Sequence, residues 1–521
     1  MPTHTVNNLQ PLSILLASSE AVGFAKTGGL GDVCGSLPQA LARLGHRCAL
    51  ILPLYRSARN RKPAPVPTEH VFNVVVGSRV VGGRLWYTQV GDVPVWLVDH
   101  EHYFDRDDPT HGRGIYQWSD ADGSRHDYSD NCERFTYFNR AVLEVLPRIN
   151  LWPDVLHVND WQTGLIPVYL AEQYRHRRDQ THAYGWHGIG TLLTIHNIAF
   201  QGVFGYQDMA LAGLDWRLFS TRQLEYHGQL SFLKAGVLFA DLLNAVSPTY
   251  AREIQTAEFG VGLEGVLRSR RLQLHGIVNG VDYSVWDPRH DAHIVANYSS
   301  DDLSGKALCK RALQLEVDLP AETKTPLCGV VARLTQQKGV DLILEVAPRI
   351  LEEGVQLVVL GEGDPAIHAQ LEELRARFPT RCAVRLGFSE PLAHRIEAGA
   401  DLFLMPSAFE PSGLNQLYSL RYGTPPVVRA TGGLADTVVD TTPDSLANGS
   451  ATGFRFDAYT SEAFAEALKR ALHLLRDEPD TWRTIQRNGM RQDWSWERSA
   501  AEYVALYRQI KARRNPSGAC G

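Results

Sequence analysis

Several short apolar runs end in polar side chains: Asp160 after DVLHVN, His196 with Asn197 after TLLTI, Arg333 with Lys338 in ARLTQQKG, Glu362 in LGEGD, and Glu410 after DLFLMPS. Open α/β sheets bind ligands outside the carboxyl ends of their strands, so these positions are where chemistry is expected. Arg333 and Lys338 place two cations in a turn before the next helical stretch. Fixed cations there suit a diphosphate leaving group, because they neutralise charge that grows as its bond breaks. The plain alternative for each residue is a solvated loop position.

Two related strings, KTGGLGD at 26–32 and TGGLAD at 431–436, each follow an apolar run and open a helical stretch. Glycine turns of this kind let backbone N–H groups approach an anion, although a lone Gly-Gly also serves as an ordinary tight turn. Gly29, Gly31 and Gly35 satisfy a loose dinucleotide fingerprint. The loop before them is long and carries Lys26, however, and the next strand ends Pro53-Leu54-Tyr55-Arg56 with no carboxylate for a ribose. That argues against a nicotinamide site. Two DxD strings, Asp105-Arg106-Asp107 and Asp120-Ala121-Asp122, lie in a polar Gly/His-rich stretch that reads as a surface loop rather than as metal ligands.

The elements that must hold these residues follow from the pattern of the runs. SILLAS, CALILP, VPVWLVD, DVLHVND, TLLTIHN and DLLNAVS alternate with helical stretches, then LCGVVARL, VQLVVLGEGD, AVRLGF, DLFLMPS and PPVVRA repeat the theme. Alternation of this kind predicts two doubly wound parallel sheets. A chain of 521 residues exceeds what one core supports. The expected domains are 1–280 and 281–495, with a terminal helix and tail over 496–521, where Ala501, Val504, Leu506 and Ile510 fall at roughly helical spacing. Which domain that helix packs on is not readable.

Composition narrows the function classes. The 52 basic and 58 acidic side chains leave a formal charge of −6 without long single-sign runs, which offers no bulk attraction for nucleic acid. Seven scattered cysteines with no CxxC pair argue against a zinc knuckle or a disulfide framework and fit a reducing cytoplasm. No apolar run has membrane-spanning length, and the N-terminus lacks a secretory pattern, so no membrane association is expected.

In this order and spacing, KTGGLGDV, LTIHNIAFQG, VSPTYAREI, NGVD, ARLTQQKG and SAFEPSGLNQLYSLRYGTPPVVRATGGLADTV resemble the bacterial glycogen synthases and plant starch synthases, over residues 12 to 510. The resemblance implies a GT-B fold, two Rossmann-like domains facing a cleft. It further implies metal-independent, cofactor-free transfer of glucose from ADP-glucose to the non-reducing end of an α-1,4-glucan, with retention. By the same resemblance Lys26, Gly28, Gly29 and Asp32 belong to the donor site, together with Asn279, Gly413, Leu414 and Thr431. Gly432 and Gly433 would offer backbone donors to phosphate. Arg333 and Lys338 match the diphosphate clamp, His196 the histidine near the glucose O6, Glu410 the acid on the glucose hydroxyls, and Asp160 an acceptor-side aspartate.

Four positions depart from the family pattern: Ser412 replaces a frequent cysteine, Asn415 a threonine, Phe388 a tyrosine that packs on the base, and Tyr418 the ribose-binding glutamate of other GT-B enzymes. With one carboxylate and no partner acid at glycosidase spacing, retention implies front-face return, a leaving phosphate oxygen deprotonating the incoming hydroxyl. Domain closure would then complete the set of groups. A UDP-glucose enzyme, another GT-B transferase or phosphorylase, and a silent glucan-binding protein are the alternatives.

Overall fold

The computed structural model describes residues 10–120, 124–176 and 183–514. The chain divides into two units, one formed by residues up to Val246, Ala251–Ile277 and Trp496 onward, the other by Ser247–Tyr250 and Val278–Ser495.

The first unit is built on a nine-stranded sheet. Its strands in chain order are β1 (Ser13–Ala17), β2 (Arg47–Pro53), β3 (Val66–Val76), β4 (Arg79–Val90), β5 (Val93–Asp99), β6 (Val155–Asn159), β7 (Gly190–Ile195), β8 (Leu242–Ala245) and β9 (Leu274–Gly276). Across the sheet they run β9-β8-β7-β6-β1-β2-β5-β4-β3. β1 and β6 are buried at every position, as expected for central parallel strands covered on both faces. The chain winds one way from β1 through β2 and the other way from β6 to β9, so the strand order reverses between β1 and β6.

The edge differs from the all-parallel expectation. β3 and β4 form a long antiparallel hairpin that joins β5 through β4, also antiparallel. Its alternation is that of a half-covered sheet: Phe72, Val74 and Val76 are buried, while Val71 and Val75 face solvent. Gly77, at φ 59°, makes the turn.

Helix α1 (Gly29–Arg43) packs Leu30, Val33, Leu37 and Leu41 inward. Helix α2 (Asn131–Val145) is buried nearly throughout. The second unit carries a six-stranded parallel sheet of β10 (Leu327–Leu334), β11 (Gln356–Gly363), β12 (Cys382–Leu386), β13 (Leu402–Met405), β14 (Pro426–Arg429) and β15 (Phe454–Phe456). Their order is β12-β11-β10-β13-β14-β15, which reverses between β10 and β13. Helices α3 (Val340–Glu352) and α4 (Ser461–Asp477) cover one face with a continuous aliphatic cluster that includes Ile343, Ala347, Leu468 and Ala471.

Helix α5 (Trp496–Arg514) answers the question the sequence left open: it packs on the first unit, against α1 and β7. Its inward face is Ala500, Tyr503, Leu506, Tyr507 and Ile510, whereas Ala501 points to solvent. The expected stripe is displaced because two tyrosines are drawn to buried polar partners. Tyr507 Oη lies 2.8 Å from His157 Nδ1, and Asn244 Nδ2 donates to Tyr503 Oη at 3.0 Å. The six described cysteines are buried free thiols, and Cys520 lies outside the described residues. No helix among the described residues is long and apolar enough to cross a membrane.

Candidate active site

In each unit part of the candidate set follows the two strands where the order reverses, the position at which doubly wound sheets take ligands, while His196 follows β7, Phe388 β12 and Thr431 β14. In the first unit the loop after β1 carries Lys26, Gly28 and Gly29 to the start of α1, and Asp160 follows β6 directly. In the second, Arg333 and Lys338 end β10 and the turn after it, and Glu410 lies in the loop after β13.

The KTGG turn is held at several points. Lys26 Nζ donates to Asp32 Oδ1 at 2.7 Å, and Val22 N donates to Gly31 O at 2.8 Å. Gly28 is fully extended (φ −163°, ψ −166°) and caps α1 without a side-chain hydrogen bond. A Cβ placed on Gly28 or Gly29 would meet nothing within 4 Å. The fold therefore does not require glycine at either position, and the backbone there is open to a group approaching from outside.

The second glycine turn is not equivalent. Gly432 has φ 45°, and a Cβ there would sit 2.0 Å from Glu410 O; at Gly433 it would sit 1.9 Å from Ser412 O. The Gly433 N–H is committed to Glu410 O (3.1 Å) and Pro411 O (3.2 Å). This corrects the expectation that Gly433 offers its amide to a phosphate. These glycines let the chain from Thr431 pack directly on the 410–413 loop.

His196 is buried, and burial lowers its imidazole to about pH 3, so it is neutral. Asn159 Nδ2 donates to Ala17 O at 3.1 Å, so Asn159 Oδ1 is the acceptor facing His196 Nε2 at 3.0 Å. Nε2 then carries the proton and Nδ1 is an acceptor. Asp160 Oδ1 accepts the His196 backbone N–H at 2.7 Å. Burial pushes the Asp160 carboxyl up to about 7 despite the amides of His196 and Asn197. Asp160 has φ 53° and ψ −169°, a backbone conformation suited to glycine, and strain of this kind collects at functional sites.

In the second unit Lys338 Nζ donates to Glu410 Oε2 at 2.5 Å, and Ser407 Oγ donates to the same oxygen at 3.2 Å. Ala408 N donates to Gln337 O, stitching the lysine's turn to the acid's loop. Gly339 closes that turn at φ 71°, where a Cβ would lie 2.1 Å from Pro406 O. Arg333 is exposed and forms no side-chain hydrogen bond or ion pair among the described residues. Asn279 is buried with Oδ1 lacking a hydrogen-bond partner.

The departures from the family pattern have visible settings. Asn415 Nδ2 donates to Val331 O at 2.5 Å, and Tyr418 stacks on Trp286 with ring centroids 3.9 Å apart. Phe388 is 82% exposed. Gly413 takes φ 69° just before Leu414, which is half-buried. The DxD aspartates serve the local fold: Asp105 pairs with Arg56 at 2.8 Å, Asp107 accepts Arg56 N (2.7 Å) and Ser57 N (3.0 Å), and Asp120 meets His126 at 2.9 Å. Asp122 lies outside the described residues.

Residues 13–269 match the family described as starch synthase catalytic domain, and residues 314–488 match glycosyl transferases group 1. The chain is 48% identical to the glycogen synthase of Anaeromyxobacter dehalogenans strain 2CP-1 over 503 residues, 96% of this chain and all of that one. The chain belongs to the glycogen and starch synthase family. To the glycogen synthase of Syntrophotalea carbinolica it is 46% identical over 96% of its length and 99% of the relative's. The catalytic domain of starch synthase IV from Arabidopsis thaliana, solved with ADP and acarbose bound, superposes with a TM-score of 0.85 at 31% identity, covering 97% of this chain and all of that one. Membership in the family establishes a glucosyltransferase of GT-B fold.

Sequence reasoning overlooked Glu20 and Tyr116. Glu20 is a single acid inside an unremarkable loop, and only the fold shows that its carboxylate faces the KTGG turn, with the Tyr116 hydroxyl 2.8 Å away.

Proposed function

We propose that this protein transfers glucose from ADP-glucose to the non-reducing end of an α-1,4-glucan with retention of configuration. The observation that carries the reading is the Lys338–Glu410 pair at the strand-order reversal of the second sheet, in the turn that follows Arg333, a residue with no side-chain partner among the described residues. A cation balanced by one carboxylate is poised for exchange. A diphosphate brings more negative charge than Glu410 does and competes for the ammonium, while Arg333 needs no partner removed before it binds. Glu410, released from Lys338 and still held by Ser407, then turns its carboxylate to sugar hydroxyls. As the glycosyl bond breaks, the two cations stabilise the growing charge on the leaving phosphate, whose oxygen takes the proton of the incoming hydroxyl.

In the first unit the same reading gives the open Gly28–Gly29 backbone and Lys26 to the donor, and the His196 Nδ1 acceptor to a glucose hydroxyl. Asp160 keeps the His196 backbone in place on the acceptor side. The choice of ADP-glucose over UDP-glucose rests on the family resemblance and on the ADP present in the starch synthase IV structure.

Purified protein incubated with glycogen and either nucleotide glucose, in excess EDTA, tests all parts together. ADP release should exceed UDP release, and proton NMR of the elongated glucan should show only new α-linkages. Release of neither nucleotide overturns the reading, and activity restored only by magnesium or manganese overturns the assignment of the leaving-group charge to Arg333 and Lys338.

A further inference from the structure

Glu20 is buried, yet it forms no ion pair among the described residues. A carboxylate in such a place costs free energy unless hydrogen bonds replace its water. Here four donors converge on it: Thr27 N (2.5 Å) and Gly28 N (3.3 Å) on Oε2, Thr27 Oγ1 (2.7 Å) and Tyr116 Oη (2.8 Å) on Oε1. Three of the four belong to the two residues that immediately follow Lys26.

Behind this cluster the support is rigid. Tyr116 Oη also lies 2.6 Å from Ser19 Oγ, its carbonyl accepts Asn131 Nδ2 at 2.9 Å, and the preceding carbonyl of Ile115 accepts the guanidinium of fully buried Arg134 at 3.0 Å. Its ring packs against Phe135 and against Trp161, the residue after Asp160. On the other side Gly28 and Gly29 have open space where a side chain would be. One face of the turn is thus fastened to a buried acid while the other is left accessible.

We infer that Glu20 is a positioning residue for the donor: it holds the backbone of Thr27 and Gly28, and through them Lys26 and the start of α1, in the conformation that receives the nucleotide sugar, with Tyr116 bracing the acid. The inference rests on the donor reading of the 26–29 turn. Its basis is geometric rather than a matter of charge. A glutamine keeps one oxygen toward the two amides, and its NH2 faces two hydroxyls that rotate to accept.

The test compares wild type, Glu20→Ala, Glu20→Gln and Tyr116→Phe for melting temperature, donor and glycogen KM, and ADP affinity by calorimetry. Glu20→Ala should weaken ADP and raise donor KM by ~10-fold or more, with glycogen KM within about twofold of wild type. Glu20→Gln should recover most of that loss. Tyr116→Phe, which removes one of the four bonds and keeps the ring, should weaken ADP about threefold. Unchanged ADP affinity in folded Glu20→Ala overturns the inference, as does Glu20→Gln as weak as Glu20→Ala; should Glu20→Ala fail to fold, unchanged affinity in Tyr116→Phe does so instead. Wild-type protein that binds no ADP defeats the donor reading itself, which is a distinguishable result.

Discussion

Lys338 and Glu410 neutralise one another at 2.5 Å, so a change at either is felt by both. Lys338→Ala should lower kcat by roughly 10²–10³, the loss expected for one fixed donor aimed at developing charge. Steady-state kinetics beside a melting curve checks this, and unchanged turnover in folded protein would reduce the lysine to a structural partner of Glu410. Phe388 invites a sharper contrast. At 82% exposure its truncation should leave the melting temperature unmoved. Donor KM should rise several-fold if the ring stacks on the base, an interaction worth roughly 1–3 kcal/mol in nucleic-acid sites; no change in KM discards the stacking. At this scale the sequence was legible as to place: Arg333, Lys338 and His196 were read at strand ends and lie there. It was silent on Glu20, whose carboxylate is held by two backbone amides and two hydroxyls, and on Gly433, whose amide is claimed by a loop that no local spacing reveals.

Helix α5 shows what an element needs beyond its hydrophobic spacing. Tyr507 brings its hydroxyl to His157, whose other ring nitrogen lies 2.7 Å from Thr194 Oγ1, so a buried chain of polar groups joins the helix to β6 and β7. Tyr507→Phe leaves His157 Nδ1 without its partner and should cost ~1–3 kcal/mol in denaturant unfolding of the first unit. A value near zero would make the network incidental to docking. The structure places a strand at every continuous apolar run that was read, whereas the short parallel edge strands β9 and β15 carry no such run. The β3–β4 hairpin was missed because its half-exposed residues interleave with polar ones and never form such a run. The face of α5 was misplaced because apolar spacing alone does not register tyrosines that seek buried acceptors.

For the molecule as a whole, buried groups of the first unit, His157, His196 and Asp160 among them, shape how its stability follows pH. His157 and His196 are both lowered to about 3 by burial, so the stability tied to their neutral forms is complete above pH 6.5 and is lost as pH falls toward 3. Asp160 is raised to about 7, so its contribution runs the other way: complete below the ordinary carboxyl range and lost as pH rises through 7. Asp160→Asn should therefore be more stable than wild type at pH 8, with the advantage shrinking toward pH 4 and a steeper acid limb. Urea titrations across that range decide it, and a pH-independent difference would mean that Asp160 does not titrate there.

The same unit is discontinuous in sequence, since its last helix, α5, is encoded after the entire second unit. On the ribosome, then, the second sheet can be complete while the first still lacks a wall. Until Trp496–Arg514 emerges, His157 has no hydroxyl from Tyr507, Asn244 none from Tyr503, and the surface beside Gly190, shaped so closely that a Cβ there would lie 2.0 Å from Ile510, stands bare. Domains usually mature in the order of synthesis. Here the first unit begun is the last finished, and throughout translation of some 220 intervening residues its seam for α5 stands uncovered.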